Sequence, residues 1–186
     1  EAFIKKNKCS KTELAESKIF GYNKTLAEYY EEETLKEIIL ARRFVRENYP
    51  KTPSEMLVVA SLLHVLHGNR PYALSRNSHP IVPYAPTGDY IYKSLIKSVT
   101  EKLERACNEE LPLNFKSGKI FNQDITTIWP QEINNLDAII TSPPFFDSTR
   151  FHLANWIRIW FSGWSEKDFK YQPNSFIEEK QKKDFA

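Results

Sequence analysis

Hydrophobic residues recur at helical spacing through much of the first two thirds of the chain. Residues 23–48 carry a broken apolar stripe and predict a helix that ends before Pro50. A second helix is predicted to begin at Thr52 and Pro53, because threonine caps a helix and proline fits its first turn. Apolar side chains cover most of the circumference of this helix, which predicts that it is buried. Residues 90–107 predict a third helix.

The pattern changes toward the end of the chain. Residues 119–122 and 136–141 are short apolar runs that predict two strands, the second of them buried. Apolar residues return to a spacing of three and four over residues 149–162 and predict a further helix, in which tryptophans are expected to face the core. Residues 1–23 are polar and predict no regular structure. Helices followed by a strand, strand, helix order predict the α/β fold class.

A distinctive sequence follows the second predicted strand: Thr141-Ser142-Pro143-Pro144-Phe145. In open α/β sheets, ligands bind beyond the carboxyl ends of the strands. The two prolines remove two backbone N–H donors, so carbonyl oxygens and a serine hydroxyl can face a ligand beside an aromatic ring. Such a site suits a planar group that bears an amino substituent, such as a nucleobase.

The sequence Ser142-Pro143-Pro144-Phe145 resembles motif IV of the S-adenosylmethionine-dependent DNA amino-methyltransferases, which methylate cytosine N4 or adenine N6. The resemblance implies that these four residues are catalytic and that DNA is the substrate. The Ser142 side chain and the Pro143 carbonyl oxygen would accept hydrogen bonds from the N–H groups of the target amino group. Phe145 would stack on a base that has left the duplex. Serine at the first position favours cytosine N4.

The resemblance also implies S-adenosyl-L-methionine as the cofactor, with Asp124 and Thr141 as its binding residues. Asp124 follows the first predicted strand, where the family has an acid that accepts a hydrogen bond from the cofactor's adenine amino group. A simple Asx turn at the end of that strand is the alternative for Asp124. The implied architecture is a helical region in residues 1–115 and a partial Rossmann-like catalytic region in residues 116–186.

DNA contacts are predicted in a loop of the helical region and directly after the motif. Arg76 and His79 lie in a long proline-rich loop, residues 69–89, where basic and aromatic side chains alternate as in nucleic-acid contacts. The alternative is a proline-stiffened loop that wraps over the helices. Directly after the motif, Arg150 is a candidate phosphate contact and Phe146 a candidate support for the extruded base.

The net charge, the number of cysteines and the lengths of the apolar runs limit which partners and cellular compartments are expected. The 186 residues carry a net charge of only +2, so a nucleic-acid surface must be a local patch. The two cysteines lie far apart, which argues against a disulfide framework or a cysteine-rich zinc site and suits a reducing cytoplasm. There is no apolar run of about 18 residues, so no membrane span is expected. We predict no metal site.

The chain has only five glycines and no Gly-x-Gly. The glycine-rich cofactor turn of the family, motif I, is therefore missing. We expect a fragment of a larger enzyme, one half of a split enzyme whose second chain carries that turn, or a degenerate relative. Three alternatives remain for the function: methylation of adenine N6, methylation of a non-DNA amide or RNA base, and a nucleic-acid-binding module that has lost the cofactor.

Overall fold

The computed structural model describes residues 1–21, 24–67, 88–123, 129–141 and 151–171. Within these residues the regular structure is helical. The helices are α1 (Ala2–Lys6), α2 (Lys11–Ser17), α3 (Leu26–Tyr29), α4 (Glu32–Glu47), α5 (Pro53–Val65), α6 (Leu95–Asn108), α7 (Phe151–Ala154), α8 (Trp156–Phe161) and α9 (Glu166–Tyr171).

The predicted α/β fold class, with its partial Rossmann-like sheet, is wrong for the described part of the chain. Its β-pairing is a single isolated bridge between Gly21 and Thr25. Residues 119–122 and 136–141, predicted as strands, are non-helical chain with no strand partner among the described residues. The side chains of Ile120 and Ile140 are 99% and 97% exposed. A strand needs a neighbouring strand to satisfy its backbone groups, and an apolar run does not reveal whether that neighbour exists.

The predicted start of the second helix is confirmed at α5. The Thr52 hydroxyl accepts a hydrogen bond from the Glu55 backbone N–H at 3.2 Å, and the Glu55 carboxylate accepts one from the Thr52 N–H at 2.9 Å. This reciprocal capping box satisfies two backbone donors at the helix end, and Pro53 occupies the first turn. The prediction that the whole helix is buried is wrong. Met56 is 52% exposed, and only the later turns of α5 reach the core.

The polar start of the chain is helical, contrary to the prediction. Ser10 caps α2 through a capping box with Glu13. The Glu13 carboxylate also accepts a hydrogen bond from Arg43 Nε at 3.0 Å, which ties α2 to α4. The capping box, the ion pair and the packing of Ile4 and Leu14 against the core hold this largely polar segment in place.

The core is formed mainly by α3, α4 and α8, with contributions from the later turns of α5 and the first turns of α6. Trp156 is at its centre, with its ring centroid 5.2 Å from that of Tyr29 and 5.6 Å from that of Phe20, both in edge-on geometry. Trp156 and Trp160 are both buried, which confirms the prediction that these tryptophans face the core. The buried apolar residues around them include Leu35, Ile38, Ile39, Val65, Leu66, Leu95, Val99, Ile157 and Phe161.

Candidate functional site

Thr141 is the one sequence-predicted site residue that lies in the described part of the chain. It is exposed and belongs to non-helical chain, so the buried strand expected to deliver it is absent. The other predicted site residues lie outside the described residues: Ser142, Pro143, Pro144, Phe145, Phe146, Arg150, Asp124, Arg76 and His79. The roles of these residues stay predictions.

The two sides of residues 142–150 differ strongly in packing. On the upstream side, Leu136, Ile139 and Ile140 are all exposed. On the downstream side, α7 leads into α8, whose residues Trp156 and Ile157 are fully buried. Of the described residues on either side, those of α8 are therefore part of the helical core, whereas Leu136, Ile139 and Ile140 are not.

Arg158 joins α8 to α5. Its Nε donates a hydrogen bond to the Leu63 carbonyl oxygen at 2.9 Å, and Nη1 donates one to Asn155 Oδ1 at 3.0 Å. The guanidinium is about half-buried, and this burial lowers the pKa of Arg158 from its ordinary value. Both acceptors are neutral, and Arg158 forms no ion pair with any described carboxylate.

A second arginine, Arg42 of α4, holds the other end of α8. Its Nε donates a hydrogen bond to the Trp160 carbonyl oxygen at 2.8 Å, and its guanidinium carbon lies 4.7 Å from the centroid of the Trp160 ring. Burial lowers the pKa of Arg42 to about 10, so the side chain is still protonated at neutral pH. A cation at the carboxyl end of a helix is favourable because the last carbonyl groups carry partial negative charge.

Buried polar groups lie beside this junction at the end of α5. The Tyr30 hydroxyl donates a hydrogen bond to the Leu66 carbonyl oxygen at 2.6 Å, and burial raises the pKa of Tyr30 well above its ordinary value. His67 is buried, and burial together with the nearby positive charge of Arg158 lowers its pKa to about 3. The imidazole is therefore neutral at pH 7. His67 Nε2 makes no hydrogen bond to any described residue.

Four basic side chains converge where α5, α6 and α8 meet: His64, Lys102, Arg105 and Arg158, called here the α5–α6–α8 basic patch. Lys102 and Arg105 are three residues apart on α6, which packs against α5. Burial, followed by the positive charges of Lys102, Arg158 and Arg105 in that order, lowers the pKa of His64. None of the four forms an ion pair with a described carboxylate.

Sequence reasoning did not identify this patch. The spacing of Lys102 and Arg105 along one helix was visible in the sequence. In the structure Arg105 Nε donates to the Glu101 backbone carbonyl at 3.2 Å, not to its carboxylate. Helices α5, α6 and α8 are brought together by tertiary packing, which no local sequence pattern reveals.

Two clefts in the described part of the chain are large enough to hold a small molecule. One, of about 1050 Å³, is bordered by α2, α4 and the turn after α8, with Arg42, Trp160 and Trp164 in its wall. The other, of about 600 Å³, lies between α1 and α4 beside Cys9 and Tyr92. Neither reaches Thr141, and both mix acidic and basic side chains, so neither is favoured as the predicted site.

The described residues contain no group of three or more histidine, cysteine, aspartate or glutamate side chains that could hold a metal ion. No helix among them is long and apolar enough to cross a membrane. Comparisons with protein-family models, curated proteins and solved structures found no match for this chain.

Proposed function

We propose that this chain carries the base-binding part of an S-adenosylmethionine-dependent DNA amino-methyltransferase that acts on cytosine N4. The observation that carries the proposal is the sequence Ser-Pro-Pro-Phe at residues 142–145, which resembles motif IV of that family. Serine at its first position favours cytosine N4 over adenine N6.

The chemistry assigned to this chain concerns the amino group of the target base. An exocyclic amino nitrogen is a weak nucleophile, because its lone pair is delocalised into the ring. The Ser142 hydroxyl and the Pro143 carbonyl oxygen accept hydrogen bonds from its two N–H groups. They thereby stabilise the positive charge that develops on the nitrogen. Phe145 stacks on the base, an interaction of about 1–3 kcal/mol. The base has to leave the duplex stack to reach these groups.

The packing downstream of the motif supports the proposal. Residues that bind a reacting group must be held in place by a rigid support. Here α7 begins directly after Arg150, and α8 is fixed to the helical core by the hydrogen bonds of Arg158 and Arg42. The described chain that follows the motif in the sequence is thus firmly packed against the helical core.

The described residues offer no support for cofactor binding at Thr141. Thr141 is exposed, neither described cleft reaches it, and the sequence lacks a Gly-x-Gly turn through which the backbone could approach a cofactor. We therefore assign cofactor binding mainly to a second chain or a further segment that carries such a turn. Asp124 and Thr141 stay predictions for the cofactor side of the complete site.

Nucleoside analysis of cellular DNA tests the proposal without a known recognition sequence. DNA from cells that express the protein, and from matched cells in which its gene is deleted, is digested to nucleosides and measured by mass spectrometry. We expect N4-methylcytosine that disappears on deletion. A gene-dependent N6-methyladenine signal would instead select the adenine enzyme. The absence of any gene-dependent methylated base would contradict the methyltransferase assignment.

A second candidate is a nucleic-acid-binding module that keeps the base pocket without the transfer reaction. The missing Gly-x-Gly turn and the uncompensated α5–α6–α8 basic patch both favour it. DNA binding by the purified chain, together with unchanged nucleosides after gene deletion, would select this module over the enzyme.

A further inference from the structure

The basic side chains at the α5–α6 junction differ in their partners from the ion-paired cations of the described chain. Lys36 contacts Glu32 and Glu33, and Arg43 contacts Glu13. By contrast, the α5–α6–α8 basic patch has no carboxylate partner among the described residues. Like charges held together raise the free energy of the folded protein, and a bound anion relieves that repulsion.

The geometry of the patch is fixed by the fold. Arg158 is anchored to the Leu63 carbonyl, one residue before His64 on α5. Lys102 is partly buried on α6, which packs against α5, and Arg105 lies one turn further along the helix. Helices α6 and α8 thus present the cations Lys102, Arg105 and Arg158 to one region beside His64 of α5.

We propose that the α5–α6–α8 basic patch binds the phosphate backbone of the nucleic-acid substrate. The proposal adds a DNA-contact surface to the proposed function, and it rests on that function for the choice of DNA as the bound nucleic acid. Three cations distributed over two helices suit successive phosphates better than one small anion. A net charge of only +2 requires the nucleic-acid surface to be local, as this patch is.

The location of the patch also suits this role. Arg158 belongs to α8, which follows the Ser-Pro-Pro-Phe motif in the chain, and His64 lies near the end of α5, shortly before residues 69–89 with their predicted DNA contacts Arg76 and His79. Contacts to phosphates position a nucleic acid without reading its sequence. The patch would therefore hold the substrate strand while residues 142–145 engage the base.

The test is a salt titration of DNA binding by the full chain. Lys102→Gln, Arg105→Gln and the double variant are compared with wild type by fluorescence anisotropy on a labelled duplex, between about 50 and 200 mM salt. The matched control is Lys97→Gln, which removes one exposed charge from the same helix outside the patch. Circular dichroism melts verify that every variant is folded.

We expect each patch variant to weaken binding roughly five- to tenfold near 0.1 M salt and to reduce the slope of log K against log salt by about 1. The double variant should lose about twice that slope, whereas Lys97→Gln should resemble wild type. Patch variants that match Lys97→Gln in affinity and slope would overturn the proposal. Lower melting temperatures with an unchanged salt-dependence slope would also overturn it. The patch residues would then stabilise the fold, by contacts with a carboxylate of the chain itself, rather than bind phosphates.

The salt titration tests the phosphate-binding surface independently of the methyltransferase activity. Loss of slope in the patch variants supports the phosphate-binding surface whether or not the cells contain N4-methylcytosine. Unchanged slopes reject the surface even where the methylated base is found.

Discussion

Arg158 Nε and the Leu63 carbonyl oxygen are joined by a 2.9 Å hydrogen bond between positions 95 residues apart in the sequence. This contact connects the helix that follows the Ser-Pro-Pro-Phe motif to the end of α5. Because the guanidinium is about half-buried, water cannot fully replace the contact once the side chain is removed. The bond therefore contributes to stability and also to the position of α8.

Replacement of Arg158 by alanine should lower the free energy of unfolding by about 1.5–3 kcal/mol, the range for a hydrogen bond that involves a charged group. The loss would be measured by urea denaturation of the purified chain. Arg46→Ala is the matched control, because Arg46 is exposed on α4 and should cost less than about 0.5 kcal/mol. Equal losses in the two variants would show that the Arg158 contact contributes nothing specific.

Removal of the central tryptophan should be among the most destabilising changes. Trp156 is fully buried between Tyr29 and Phe20, so Trp156→Ala should lower the free energy of unfolding by about 3–5 kcal/mol. Trp129→Ala deletes the same side chain at a position that is 38% exposed and should cost much less. Thermal melts of both variants provide the measurement, and similar shifts in the two would contradict the described core.

Stability should depend on pH through His67. Its pKa is lowered to about 3 in the folded state, first by burial and then by Arg158, whereas the unfolded value is near 6.5. Between these values the unfolded chain binds a proton that the folded chain does not. The contribution is therefore fully present above about pH 6.5 and is lost as pH falls toward 3, at up to about 1.4 kcal/mol per pH unit.

Urea denaturation at pH 7 and pH 5 measures this dependence. We expect wild type to lose stability over this interval and His67→Asn to lose much less. His64→Asn is the control: the pKa of His64 is also lowered, so its contribution has the same sign, but the side chain is exposed and the effect should be smaller. Parallel pH dependences of wild type and His67→Asn would refute the assignment to this residue.

Local sequence signals predicted the helices well where both the cap and the apolar stripe were present. Thr52, Pro53 and Glu55 specify the start of α5 without tertiary help. Ser10 and Glu13 carry the same capping signal for α2, although the polar composition around them obscured it. The spacing of Trp156 and Trp160 placed both on the core side of one helix.

The errors arose where the outcome depends on a distant partner. Residues 136–141 are as apolar as a buried strand, yet a sheet requires a second strand in register, and none is present among the described residues. The apolar sequence of α5 likewise did not reveal that its first turns are exposed. The α5–α6–α8 basic patch was missed for the same reason, since Lys102 and Arg158 are brought together only by helix packing.

The most direct measurement of the central claim is the N4-methylcytosine content of DNA from cells in which Ser142→Ala or Phe145→Ala replaces the wild-type gene. The controls are Ser54→Ala and Phe115→Ala, which make the same changes at exposed positions in the helical region and the following chain. We expect the modified base to disappear in the first pair and to persist in the controls, with equal protein levels throughout. Wild-type methylation in both Ser142→Ala and Phe145→Ala cells would contradict the claim that these residues bind the target base.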